Sequence, residues 1–306
     1  MNLTNKKVAV LLATHNGIQW IEEQVHSILE QNNVDVRLII SDDGSTDGTY
    51  PFVKQLAKSD NRVTLLLDHS AVCGAGKNFY RLIRQADTFD ADFVAFADQD
   101  DIWLSNKLQY QIDTLNNRAV DATSGNVVAF WDNAQLAFIN KAQPFKPLDY
   151  LFESAGPGCS FCVTRALFDE LHDFVQQHAD EDLPDLHDWL IYAYARATNH
   201  QWYYEQRPLL KYRQHQHNVV GVHKGFQASA RRFITVRQRW YRNQVQLLSY
   251  ILLSCCQEKM TSKSLMQRIG RLNFFDRLVL AFNVSKFRRE RSHQLVLSLM
   301  LITYVF

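Results

Sequence analysis

Three carboxylates fall within four residues at Asp98-Gln99-Asp100-Asp101, directly after the apolar run Phe93–Ala97. Like charges packed this closely repel, and each is driven towards protonation unless a cation neutralises them. A hard divalent ion, Mg²⁺ or Mn²⁺, does so with oxygen ligands. A lone D-x-D is usually a solvated acidic turn. Placed after a buried strand and before Ile102-Trp103, this one reads as a cation seat. A second polar cluster, Asp42-Asp43-Gly44-Ser45, follows the apolar run at 36–40. Asp42 is the residue there expected to touch a ligand, by accepting from a base N–H or a ribose hydroxyl. Asp43, Ser45 and Asp47 suit turn and cap chemistry.

These clusters need elements to hold them. Residues 7–14, 36–40, 63–67 and 93–97 are continuous apolar runs of strand length. Helical patterns lie between them at 18–30, 46–57 (with Ser45 or Thr46 as N-cap) and 78–86. Strand-helix alternation at this spacing predicts βαβ units and a mainly parallel α/β sheet. Strands that are apolar throughout predict helices on both faces. Ligands bind such sheets beyond the carboxyl ends of the strands, where Thr14-His15-Asn16, Asp42-Asp43 and Asp98–Asp101 stand. Further on, 127–131 and 135–140 predict a hairpin, 156–160 a loop, and 166–177 and 188–197 two helices. From about residue 226 the chain turns to helical stretches rich in Arg and Leu.

The segments ATHNG, SDDGSTDGT and ADQDDIW, in this order and spacing, resemble the nucleotide-sugar half of family 2 glycosyltransferases with the GT-A fold, over roughly residues 7–110. The segments GPGCSFCVTRALF (156–168), HDWLIYAYA (187–195) and RPLLKYRQHQHNVVG (207–221) resemble the bacterial branch that includes rhamnosyltransferases of polysaccharide assembly. The resemblance implies that Ala13 and Thr14 lie against the base of a nucleotide-diphospho-sugar and that Asp42 bonds its imide N–H. It sets Lys77 where the family often has Arg, against base or phosphate; Lys lacks the guanidinium fork. Asp98 would face the ribose. Asp100, with His215 (or next His217), would hold Mn²⁺ or Mg²⁺ on the diphosphate. Asp188 matches the catalytic base of inverting members, with His187 replacing the acid that usually precedes it. Gly158, Cys159, His187 and Trp189 would line the donor or acceptor wall, since glycine lets backbone approach a ligand. The implied reaction moves a sugar, L-rhamnose from dTDP-rhamnose or another dTDP- or UDP-hexose, to a glycan or lipid-linked acceptor. A nucleotide-sugar-binding scaffold without turnover is the rival outside the enzymes.

The net charge of +1 hides an asymmetry. Residues 225–306 carry fourteen Lys and Arg against three Asp and Glu, a balance of +11; the remainder carries nineteen against twenty-nine, a balance of −10. The expected division is a GT-A domain at 1–224 and a basic, amphipathic helical region at 225–306. There Arg231, Arg232, Arg237, Arg239 and Arg242 mix with Phe233, Ile234, Trp240 and Tyr241. Similarly, Arg271, Arg277, Lys286, Arg288, Arg289 and Arg291 mix with Phe274, Phe275, Leu278, Val279 and Phe282. That mixture suits an anionic membrane surface and a place on the cytoplasmic face of the cell membrane. No apolar stretch reaches the roughly 18 residues that span a bilayer. Nucleic acid is disfavoured, because no nucleic-acid motif accompanies the charge; a homo-oligomer is left open. Five cysteines without a paired framework speak against structural zinc and for a reducing cytosol. A P-loop is absent, and Gly74-Ala75-Gly76 lacks the third glycine and the position of a dinucleotide fingerprint.

Overall fold

The computed structural model describes residues 6–68, 70–88, 90–215, 239–255 and 260–306, the side chains of 260–262 excepted. His217, Arg231, Arg232, Phe233, Ile234 and Arg237 lie outside them.

Strands β1 (Lys6–Thr14), β2 (Val34–Asp42), β3 (Val63–Leu65) and β4 (Phe93–Ala97) alternate with helices α1 (Ile21–Leu29), α2 (Thr49–Ser59) and α3 (Ala75–Gln85). The four strands are parallel in the order β3-β2-β1-β4. Along β1, Val8, Val10 and Leu12 pack with α1 and α2 residues such as Ile21, Val25 and Val53. Ala9, Leu11 and Ala13 face the other way, towards Phe79, Leu82 and Leu190. Both faces are therefore covered, which is why Val8–Ala13 and Phe93–Ala97 are apolar throughout, whereas β2 keeps Arg37 exposed. Register does the rest: Thr14 pairs with Asp42 and Leu12 with Ala97, so Thr14, Asp42 and Asp98 leave the sheet at one edge.

The other half of the sheet is mixed. β5 (Ile102–Trp103) leads to α4 (Lys107–Arg118), then to the hairpin β6 (Ala122–Phe130) and β7 (Leu136–Ile139), and on to β8 (Cys162–Thr164). α5 (Arg165–Gln176) and α6 (His187–Ala197) precede β9 (Trp202–Arg213), which runs parallel to β6. The sheet order continues β4-β8-β6-β9-β5. Neither α4 nor β9 is announced by the sequence pattern. β9 carries Glu205-Gln206-Arg207-Pro208 in its middle, where its register against β6 shifts. A polar, proline-containing strand does not read as one.

Three helix starts differ from expectation, α3 beginning at Ala75 rather than at residue 78. α2 begins at Thr49, after Gly48 in the left-handed region (φ 101). Ser45 is occupied elsewhere, its hydroxyl accepting from Asn16 N at 2.8 Å, while the Asp47 carboxylate accepts from Thr49 N at 3.0 Å and Ile18 N at 3.1 Å. α1 begins at Ile21, because Gly17 to Trp20 form a turn closed by Trp20 N donating to Gly17 O at 2.9 Å.

Helices α7 (Trp240–Leu253), α8 (Met260–Arg271), α9 (Phe274–Phe282) and α10 (Arg291–Ile302) complete the chain. Val245, Leu248, Leu252, Phe287 and Phe306 join the same core as Leu190 and Tyr192, so this layer packs on the sheet domain. Trp240 and Tyr241, expected to face a membrane, are held by the body instead: the Trp240 indole donates to Asp185 and the Tyr241 hydroxyl to Phe152 O. Among the described residues, no helix is long and apolar enough to cross a membrane.

Candidate active site

The end of β2 is braced from beneath. Asn78 Nδ2 donates to Thr14 O at 3.2 Å and Ser41 O at 3.0 Å. Arg81, one turn on, reaches Ser41 Oγ at 2.9 Å and Asp42 O at 2.7 Å. Asp43 turns away to accept from the amides of Val72, Cys73 and Gly74, fixing the loop into α3. Asp42 is thereby left with a buried carboxylate whose Oδ2 accepts from Ser45 N at 2.9 Å and whose Oδ1 has no hydrogen-bond partner. A buried acceptor without a donor is costly and suits a ligand N–H. Ala13 and Thr14 stand beside it; Lys77 is exposed on the first turn of α3.

Gln99, the middle residue of the D-x-D, ties the strand ends together. Its side-chain oxygen accepts from Thr14 Oγ1 at 2.7 Å and His15 N at 2.8 Å, and its amide donates to His15 O at 2.9 Å. On either side are the carboxylates. Asp100 Oδ2 lies 2.7 Å from His215 Nε2, and the His215 ring stacks on Trp20 at 4.1 Å. Arg213 Nε donates to Asp100 O at 2.8 Å and its amide to Asp101 Oδ1 at 3.1 Å, pinning the end of β9 to the acidic corner. Ligand atoms of Asp98, Asp101 and Cys159 lie within 4.8 Å of one another. Burial first and the Asp100 charge second push Asp98 up to about 7. Burial, then the charges of Asp100 and Asp98, push Asp101 well above the ordinary carboxylate range.

This corner fits a divalent cation. A carboxylate oxygen and an imidazole nitrogen are already adjacent, a donor set that Mn²⁺ accepts. Asp101 Oδ2 is buried with no hydrogen bond. Asp100 and His215 are the residues that would hold the ion.

Asp188 sits on the first turn of α6. A helix N-terminus ordinarily favours a carboxylate. Here burial outweighs that and the hydrogen bonds from the Trp189 backbone and the Ser154 side chain, and the pKa rises to about 7. Its Oδ1 is buried and unpartnered. Asp188 is near enough to Asp98 for its charge to help raise that residue too. Gly158 explains how the backbone comes so close: a Cβ there would lie 2.4 Å from His187 Nε2 and 3.2 Å from Asp188 Cβ.

The structure thus brings Asp42, Asp98, Asp100, His215, Gly158, Cys159 and Asp188 to one end of the sheet. Trp189 points elsewhere, and His187 meets the site only through Nε2, which faces Gly158. His187 stacks on Phe79 at 3.6 Å, and burial depresses it to about 3. It is a neutral ring with no charge to offer a phosphate. Trp189 is buried and donates from its indole to Tyr150 O at 2.8 Å. The sequence pattern names Gln99 and Asp101 only as members of the acidic corner, and it does not name Asn78, Arg81 or Ser154. Asn78 and Arg81 carry a signal, since polar residues three apart sit on an otherwise apolar helix face. Ser154 carries none.

Residues 9–167 match the family described as glycosyl transferase family 2. The chain is 36% identical over 298 residues to the dTDP-rhamnosyl transferase RfbG of Shigella flexneri, covering 96% of this chain and 100% of that protein. Among solved structures it is similar to S. aureus TarS 1–349 in complex with UDP-GlcNAc (TM-score 0.63, 15% identity, 98% of this chain and 81% of that one). It is also similar to the mannosyltransferase PcManGT of Pyrobaculum calidifontis in complex with GDP-Man and Mn²⁺ (TM-score 0.54, 15% identity, 98% and 86%). At these identities the two structures speak for the fold alone.

Proposed function

The chain belongs to glycosyl transferase family 2, is a glycosyltransferase and has the GT-A fold; from that premise we propose an inverting, cation-dependent enzyme that moves L-rhamnose from dTDP-rhamnose to a hydroxyl of a glycan or lipid-linked acceptor at the cytoplasmic face of the membrane. The Shigella relative, aligned over its whole length, supports the donor. The observation that carries the chemistry is the Asp188 carboxyl: part-buried, with one oxygen free of hydrogen bonds and a pKa near working pH, beside the acidic corner. A general base works best when its pKa lies near the pH of the reaction.

The steps follow from the residues. Asp42 Oδ1 accepts the imide N–H of the base, with Ala13 and Thr14 at its side, and Asp98 faces the ribose. Mn²⁺ or Mg²⁺ held by Asp100 and His215 would offset the charge that grows on the diphosphate as it leaves. Asp188 Oδ1 takes the proton of the acceptor hydroxyl while that oxygen attacks C1. The bond from C1 to the diphosphate oxygen breaks on the opposite side, so configuration inverts. Gly158 lets Asp188 and His187 pack directly against the backbone, because any side chain there would collide with both.

The test is a panel of nucleotide sugars with Mn²⁺, read by thermal stabilisation and by release of the nucleotide diphosphate. The proposal predicts that dTDP-rhamnose stabilises most and is turned over. A preference for another dTDP- or UDP-hexose would overturn the donor, and binding without turnover would make the chain a scaffold.

A further inference from the structure

The C-terminal layer buries one side and leaves the other apolar. On α9, Phe274, Phe275 and Phe282 are 54%, 74% and 88% exposed; on α10, Leu295, Val296, Leu299 and Ile302 range from 49% to 69%. Positions 275 and 282 are seven apart, and 295, 299 and 302 follow i, i+4, i+7, so each helix presents one apolar stripe. Ser298 Oγ donates to Ala281 O at 3.3 Å, setting the two stripes side by side. Isolated exposed apolar residues are ordinary, but a contiguous set of this size marks an interaction face.

Its charge surroundings name the occupant. Arg291 is exposed and Lys286 half-exposed around the stripes. Of the acids here, Asp276 is buried between Arg268 at 2.8 Å and Arg271 at 3.1 Å, and exposed Glu290 lies 3.5 Å from His293, so the balance around the stripes stays positive through Lys286 and Arg291. A second copy of this chain would bring the same positive rim against itself, and nucleic acid would not bury phenylalanines. We infer that the outer face of α9 and α10 docks on an anionic bilayer surface, the phenylalanines and leucines entering the interface and the cations meeting lipid phosphates.

Docking there would also orient the catalytic site. The segment between α9 and α10 straps the loop beside Asp188. Lys286 O accepts from Leu148 N at 2.9 Å, Arg288 donates to Phe152 O at 2.6 Å, and Arg289 donates to Ser154 O and to Glu153 Oε1. Ser154, whose hydroxyl donates to Gly156 O at 3.0 Å, lies beside Asp188 and helps hold its pKa down. A lipid-linked acceptor in the same bilayer would thus meet the base within a few side chains of the surface; that last point rests on the transferase reading, whereas docking does not.

The experiment is co-sedimentation of the full chain with phosphatidylcholine vesicles, with and without phosphatidylglycerol, alongside light scattering. The inference predicts binding to the anionic vesicles that weakens with salt. It predicts at least tenfold weaker binding for Phe275→Ser/Phe282→Ser/Leu299→Ser at unchanged melting temperature and unchanged stabilisation by nucleotide sugar. Lys286→Gln/Arg291→Gln, which leaves the apolar face intact, should lose the preference for phosphatidylglycerol. The inference is overturned if the wild type stays in the supernatant at low salt or if both variants sediment as it does. It is also overturned if the serine variant merely turns a dimer into a monomer. Vesicle binding by a chain that neither binds nor turns over nucleotide sugars would keep this inference and defeat the transferase reading.

Discussion

Replacing Asp188 by Asn should cut turnover sharply and stabilise the fold, and the second effect should depend on pH. The folded pKa is raised, from 3.8 to about 7, chiefly by burial. Between those values the folded chain holds a proton that the unfolded chain has released. Stability from this group is therefore complete below 3.8 and is lost as pH rises towards 7. Burying this carboxyl costs the fold about 4 kcal/mol at pH 8, where it must ionise, and about 2 kcal/mol at pH 5, where it must take up a proton. Asn never ionises and escapes the cost, so Asp188→Asn should outlast the wild type in urea by a margin roughly 2 kcal/mol wider at pH 8 than at pH 5. Turnover should fall by roughly 10² to 10⁴, the usual worth of a general base, with donor affinity nearly unchanged. The wild-type rate should decline as pH drops through about 7. A variant with near-normal turnover, or one whose stability margin does not change with pH, would refute the assignment of Asp188 as a base poised by burial.

Gly158→Ala should push His187 and Asp188 aside, lowering turnover at least tenfold and stability by about 1–3 kcal/mol, as overpacking does; urea melts and initial rates check both. Asp42→Asn puts an amide or a weaker acceptor where a buried, unpartnered oxygen stood. Donor binding by calorimetry should weaken by about 1–3 kcal/mol, the penalty of an unmet buried polar group, with the metal requirement kept. Arg289→Ala removes one of the two cations beside each of Asp149 and Glu153, leaving Arg196 at 3.3 Å from the first and Arg288 at 3.7 Å from the second. It should cost about 1–3 kcal/mol through the lost hydrogen bonds and lower kcat more than it raises the donor KM, because the loop that carries Ser154 loosens beside Asp188.

The first half of the fold was legible because its central strands are buried on both faces and so carry unbroken apolar runs, as Val8–Ala13 and Phe93–Ala97 show. The polar residues that break those runs are the ones register gathers at one sheet edge. β9 escaped notice for the opposite reason: Glu205 and Pro208 sit in the middle of a strand stabilised by its long pairing with β6 rather than by its own pattern. Asp188 was legible only through its neighbours HDW; nothing in its spacing from Asp98 foretells that the two carboxylates share a site. The C-terminal layer was read as one amphipathic surface. Its inner faces proved to be core, since Arg277 is buried against Leu272 O and Phe306 O. Composition reports that charge is present, but not which side of a helix it takes.

The most direct test of the cation seat at 98–101 is calorimetric titration of dTDP-rhamnose with and without Mn²⁺, in the wild type and in Asp100→Ala. The account predicts that Mn²⁺ tightens donor binding at least tenfold in the wild type and not in the variant, and that chelation stops transfer. Equal donor affinity with and without Mn²⁺, together with transfer that survives chelation, would contradict it.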